Sequence, residues 1–149
     1  MSTIQIYLVT EVVTKSPTKG VPAAAWAAVL TYRDQQKVLT AGQYTLTSNA
    51  ILLTALTSSL KALKRHDLPI IVSLPAGDVL TAFSQQTYVV WRQNGWKIDD
   101  HTIANQQLWE TLIALTDRFP DLTLTEHSAH HSKNTALATT ALQKTLATL

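Results

Sequence analysis

Residues 48–74 read SNAILLTALTSSLKALKRHDLPIIVSL, and two hydrophobic periods meet in them. Leu52, Leu56, Leu60 and Leu63 recur at helical spacing behind Ser48 and Asn49, either of which can cap a helix N-terminus. The basic run Lys61, Lys64, Arg65 and His66 suits the negative end of that helix's dipole. Beyond it, 69–74 (PIIVSL) is almost wholly apolar, the pattern of a strand buried between helical layers. A helix feeding such a strand implies a helix-covered sheet with parallel neighbours joined by right-handed crossovers.

Upstream the period is two. In 3–13, Ile4, Ile6 and Leu8 fall on one face and Gln5, Tyr7 and Val9 on the other. The turn cluster 15–20 separates this strand from a second at 25–33; Asp34, Gln35 and Gln36 then make a short hairpin turn into a third at 37–45. Three strands with short links form an antiparallel meander. Downstream, helices are expected at 76–88, 103–119 and 132–149, a loop at 91–96, and a last strand at 122–126. The order β-β-β-α-β-α-α-β-α predicts an α/β domain over 1–149. Its mixed five-stranded sheet has three antiparallel strands, then two helix-linked parallel strands, with helices on both faces.

Composition narrows the chemistry. With 149 residues there is room for one core, and the cysteine count of zero excludes disulfides, thiolate metal sites and a cysteine nucleophile. No apolar run is long enough to span a membrane, and the alternating N-terminus is no signal peptide, so a soluble cytoplasmic protein is expected. Residues 1–66 carry seven Lys/Arg against two acids, and residues 67–149 five against eight. That asymmetry permits a basic face without demanding one.

Four stretches carry a resemblance. They are 25–33 (AWAAVLTYR); Thr40-Ala41-Gly42, Tyr44-Thr45 and Ser48-Asn49 leading to Leu60-Lys61-Ala62-Leu63; 91–97 (WRQNGWK) followed by 105–109 (NQQLW); and Glu126-His127-Ser128-Ala129-His130. In this order, over nearly the whole chain, they resemble the type I ribonuclease H family, which cleaves the RNA strand of an RNA–DNA hybrid with divalent metal held by four carboxylates. The resemblance implies that family's fold, a tryptophan-containing handle that grips DNA through phosphates, and a histidine loop near the reaction centre.

The ligands do not follow. Mg²⁺ requires anionic or neutral oxygen in a near-octahedral shell. The positions implied by the resemblance hold Val9, Leu52, Pro75 and Leu137 or its neighbour Ala138. None has a side-chain oxygen. The family's glycine-rich loop after the first strand is also missing, since 12–22 contains only Gly20. Glu11 (on Val9's strand face), Asp78 and Glu126 are the acids from which a displaced site could be rebuilt. His127, His130 and His131 form a His-x-x-His-His cluster, better read as an exposed polar loop than as a tetrahedral zinc centre.

The expectation is a catalytically inactive ribonuclease H-like domain serving as a binding or interaction module, with no cofactor and no metal. Weak nucleic-acid binding, to RNA–DNA hybrid or duplex, would use Asn49, Lys61, Lys64, Arg65, Trp91, Arg92, Trp96, Lys97 and His127. Asn49 matches a helix-start position that contacts the hybrid's minor groove in the family. Asp99 and Asp100 cancel Arg92 and Lys97 within the handle, which weakens phosphate contact there. Trp91 and Trp96, flanking Gly95, fit core and lid as well as base stacking. Two alternatives stand beside this reading: a protein-interaction scaffold without a nucleic-acid role, and a metal-dependent ribonuclease using Glu11, Asp78 and Glu126. No membrane partner is expected, and no pattern speaks to the oligomeric state.

Overall fold

The computed structural model describes residues 3–44, 47–64, 67–127 and 133–149. Strands β1 (Ile4–Val13), β2 (Ala23–Tyr32) and β3 (Gln35–Gln43) form the meander. Helix α1 (Ser48–Lys61) leads to β4 (Ile70–Leu74), then α2 (Asp78–Ser84) and α3 (Thr87–Gln93). A small hairpin, β5 (Lys97–Ile98) and β6 (His101–Thr102), precedes α4 (Gln106–Thr116), β7 (Leu122–Glu126) and α5 (Lys133–Ala147). The main sheet has five strands in the order β3-β2-β1-β4-β7. β1 pairs antiparallel with β2, and β2 with β3, whereas β1–β4 and β4–β7 are parallel. The expected mixed sheet is therefore the observed one.

Alternation along β1 decides which residues face which layer. Ile4, Ile6 and Leu8 join α1 and α4 in one apolar cluster; Tyr7, Val9 and Val13 join α5 in another. β2 is buried on both faces from Ala23 to Leu30. Its alanines explain how: Ala25 and Ala27 leave room for Ala138, Leu142 and Leu146 of α5 to lie close against the strand. Each fully buried Leu or Ile contributes about 1.5–3 kcal/mol, so the fold rests on these two layers. No helix among the described residues is long and apolar enough to cross a membrane.

Four local expectations are corrected. The β2–β3 turn is Arg33-Asp34 rather than 34–36, because Tyr32 pairs with Gln35 and Arg33 takes the left-handed φ of 55° that a tight two-residue turn needs. The helix expected over 76–88 breaks at Gln86, whose φ is 57°; the polar run Ser84 to Thr87 offers no apolar face to hold it straight. The expected loop over 91–96 is the end of α3 and its cap. There Gly95 N–H donates to the Arg92 carbonyl at 3.3 Å and Trp96 N–H to the Trp91 carbonyl at 2.6 Å, with Gly95 at φ 66°. This is a Schellman cap, in which glycine supplies the left-handed turn and the two flanking positions carry a hydrophobic contact. Finally, α4 starts at Gln106 rather than 103, because Ile103 N–H is tied to the Trp96 carbonyl at 2.9 Å and Asn105, at φ 62°, caps the helix.

Candidate active-site position and nucleic-acid interface

The β1–β4 ladder ends at Tyr7 opposite Ser73, while β1 runs on to Val13. The strands fork there, at the carboxyl end of the parallel pair, where open α/β sheets place ligands. His127 fills the fork. Its backbone N–H donates to the Leu74 carbonyl at 3.1 Å, extending the β4–β7 ladder by one bond. Its ring stacks on Tyr7 with centroids 4.3 Å apart and planes 10° from parallel, and Nε2 lies 3.2 Å from the Ser73 carbonyl oxygen. Burial holds the imidazole pKa below its ordinary value, partly countered by the Leu8 and Ser73 carbonyls and by Glu126.

The resemblance equates Val9, Leu52, Pro75 and Leu137 or Ala138 with the family's metal ligands. Val9 and Leu137 both pack against the α5-side cluster. Leu52 is 7% exposed within the α1-side cluster, Leu74 and Ala138 are fully buried, and Pro75 follows Leu74 at the strand end. This donor set is hydrocarbon and does not fit a hard divalent cation. Two acids of the displaced alternative, Glu11 and Asp78, have separate partners. Glu11 Oε2 accepts from Gln143 Nε2 of α5 at 2.9 Å, and Asp78 Oδ2 accepts from Asn49 Nδ2 at 3.5 Å. Glu126 ends β7, exposed, beside His127. Among the described residues no three His, Cys, Asp or Glu side chains form a group that could hold a metal ion.

The nucleic-acid candidates divide into two sets. Asn49, in the first turn of α1, and Trp91, in α3, share a groove of about 400 Å³ with Asp78, Thr81, Asn105 and Trp109. Trp91 meets Trp109 edge to face at 5.4 Å. Arg92 and Lys97 are exposed beside this groove. Lys61 and Lys64, also exposed, lie beyond the other end of the 14-residue α1, roughly 20 Å away along its axis. Among the described residues no continuous basic stripe joins the two sets. Trp96 is a correction: it is 7% exposed and belongs to the core, so its ring anchors the handle from inside and presents no face for stacking. Arg65, His66, His130 and His131 lie outside the described residues.

Tyr7, Thr81, Asn105 and Trp109 escaped the sequence reading as site residues. Only Asn105 and Trp109 carried a signal, their place in the Asn-Gln-Gln-Leu-Trp stretch, and that was read for family likeness alone. Tyr7 reaches the site through strand register and Thr81 through the placement of α2, neither of which has a local pattern.

No family model matches the chain. A ribonuclease H of Thermoanaerobacter sp. (strain X514) is 34% identical over 112 residues, covering 72% of this chain and 70% of the relative. Ribonuclease HI of Neisseria meningitidis serogroup B is 31% identical over 119 residues, 78% of this chain and 81% of the relative. Among solved structures, a foamy viral protease-reverse transcriptase in complex with dsDNA superposes with a TM-score of 0.78 at 12% identity, covering 99% of this chain and 95% of that one. LC9-RNase H1, a type 1 RNase H with the type 2 active-site motif, gives 0.74 at 13% identity, over 97% of this chain and 74% of that one. The structural likenesses carry the fold, and the sequence likenesses carry descent: the chain belongs to the ribonuclease H family.

Proposed function

We propose that this chain is a non-cleaving ribonuclease H-family domain that works as a binding module, holding nucleic acid weakly through its phosphates. What supports the loss of cleavage is side-chain chemistry: the positions that the resemblance equates with the family's metal ligands hold Val9, Leu52, Pro75 and Leu137 or its neighbour Ala138, with Leu52 and Ala138 buried in the apolar layers and Val9 and Leu137 packed against them. Two metal-bridging oxygens cannot be replaced by methyl groups. Nucleic acid is the first ligand to test because a foamy viral protease-reverse transcriptase of this fold has been solved with RNA/DNA hybrid, at a TM-score of 0.70. Asn49 and the groove beside Trp91 supply the matching surface.

The experiment pairs cleavage with binding. A labelled RNA–DNA hybrid incubated with Mg²⁺ or Mn²⁺ is expected to stay intact. Metal-dependent cleavage that disappears in Glu11→Gln would instead establish the displaced site. Binding of hybrid, duplex and single strand is then titrated across salt concentrations. A phosphate-directed binder loses affinity steeply with salt, and Lys61→Glu with Lys64→Glu makes that slope shallower for all sequences alike. Binding unchanged by salt and by those reversals would rule out the phosphate-directed reading.

A second reading, a protein-interaction domain, is favoured by the handle. Arg92 and Lys97 are balanced by Asp99 and Asp100, the two left-handed residues at the β5–β6 turn. No residue of α3 is buried.

A further inference from the structure

Strand β3 ends the main sheet: in the order β3-β2-β1-β4-β7 it pairs with β2 alone, and no strand lies along its outer edge among the described residues. Natural sheets blunt such an edge with proline, a bulge, several charges or a very short strand. β3 uses none of these. It runs nine residues, Gln35–Gln43, holds no proline and one charge, Lys37, and keeps unbroken register with β2. Tyr32 and Gln35 close the two-residue turn as a hydrogen-bonded pair, so by alternation Gln36, Val38, Thr40 and Gly42 direct N–H and C=O outward. The two faces beside the edge differ. On the α5 face, Val38, 40% exposed, and Thr40 line a hollow of about 670 Å³ with Ala136, Ala141 and Lys144. Thr40 Oγ1 and Thr145 Oγ1, 2.6 Å apart, tie α5 to the strand. On the α1 face, where Lys37 stands opposite Leu30, Lys37 and Lys64 line a second hollow of about 510 Å³. No Asp or Glu lines either hollow.

We infer that β3 is the edge onto which a partner protein adds an extended segment of alternating apolar and acidic residues. Main-chain hydrogen bonds to an unpaired edge give affinity, and hollows for alternate side chains give specificity. The side chains of an added strand alternate between the faces as those of β3 do. Apolar ones then enter the α5-side hollow while acidic ones meet Lys37 and Lys64. Charge selects this occupant. A second copy pairing edge to edge would gather the lysines of both around one joint, and a nucleic-acid phosphate would meet outward carbonyl oxygens that repel it. The inference gives a partner protein a place away from the handle, and it depends on no nucleic-acid binding.

The probe is a capped peptide of alternating valine and glutamate, as long as β3, titrated into the isotope-labelled protein without nucleic acid. Amide shifts are expected within residues 35–43 and along α5. Val38→Pro should raise the dissociation constant at least tenfold, because its N–H points outward and its loss costs the β2–β3 ladder nothing. Lys37→Glu should also raise it at least tenfold. Lys61 and Lys64, which the phosphate-directed reading uses, stay unaltered, so each reading can fail alone. A control on the unmodified protein removes any question of folding: N-methylation of the peptide's alternate amides should abolish binding in one phase and preserve it in the other. No shift in β3, equal binding in both methylation phases, or equal affinity for a valine–lysine peptide would each overturn the proposal. So would β3 shifts produced by diluting the protein alone, which assign the edge to a second copy, or by RNA–DNA hybrid and not by the peptide.

Discussion

The two-layered sheet and the handle solve the same problem in opposite ways. In the sheet region, β1 and β2 send alternate residues into two apolar layers, and residues such as Leu8, Ile51, Leu53 and Ile70 lose all contact with water. In the handle, no residue of α3 is fully buried; Tyr88 and Trp91 pack partly against the core, and the segment is held by Trp96, its Schellman cap and the Trp91–Trp109 contact. The positions that the resemblance equates with the family's metal ligands hold hydrocarbon side chains in or beside this sheet region, Leu52 buried and Val9 and Leu137 packed against the α5-side layer. The handle pairs Arg92 and Lys97 with Asp99 and Asp100, so its net charge is zero. Framework and surface are thus under different constraints: packing constrains volume and polarity inside, and only partner chemistry constrains charge outside.

The largest expected effect tests the filled site. Leu52→Glu places a carboxylate in the α1-side cluster without a cation to meet, and should lower stability by about 3–5 kcal/mol, the cost of an unpaired buried charge. Denaturant unfolding with and without millimolar Mg²⁺ measures it. Recovery specific to Mg²⁺ would show that a metal position survives beside the apolar layer. Next is the handle's main anchor. Trp96→Ala should cost about 3 kcal/mol, and hydrogen exchange should rise first in the handle. Val89→Ala, in the same segment but exposed, should stay within about 0.5 kcal/mol. Equal losses from the two would erase the distinction between anchor and surface.

A smaller effect of opposite sign is expected inside α1. Ser59 is 1% exposed and its hydroxyl has no hydrogen-bond partner among the described residues. Ser59→Ala should stabilise the protein by about 1 kcal/mol, since an unpaired buried hydroxyl is desolvated without return and alanine favours helix. A loss of stability in thermal melts would reveal a partner for that oxygen.

The smallest concerns His127. Its folded-state pKa lies below the ordinary 6.5, so as pH falls the unfolded chain takes up the proton first. Its contribution is complete above that ordinary value and is lost as pH drops below it. Between about pH 7.5 and 5.5 the melting temperature should therefore fall more for the unmodified protein than for His127→Phe, by no more than about 2 °C given the ring's partial exposure. A larger fall in the variant would mean that the ring is held better when charged.

Much of this was legible before any coordinates. The alternation of Ile4, Ile6 and Leu8 places one face of β1, and the leucine spacing from Leu52 to Leu60 places the inner face of α1. Both are local periodicities that burial simply reads out. That Val9, Leu52, Pro75 and Leu137 carry no side-chain oxygen was legible too, because it is a fact of composition. What stayed hidden depended on backbone conformation and distant neighbours. The break at Gln86 has no proline or glycine to announce it, and Trp96 could be read as lid or core until its ring was seen inside.

The sequence by itself determined the five main-sheet strands in their chain order, the mixed sheet, and the hydrocarbon nature of Val9, Leu52, Pro75 and Leu137, since side-chain chemistry and spacing travel with the chain wherever it folds. Only the tertiary structure decided that His127 docks on Tyr7 in the fork between β1 and β4, and that Glu11 and Asp78 are held by separate partners. It also decided that Lys61 and Lys64 stand a helix length from Asn49, and that Val89 and Val90 of α3 are exposed while Tyr88 and Trp91 pack against the core. Those outcomes depend on strand register and helix direction, which bring together residues as far apart as Glu11 and Gln143, and no local pattern encodes such distances.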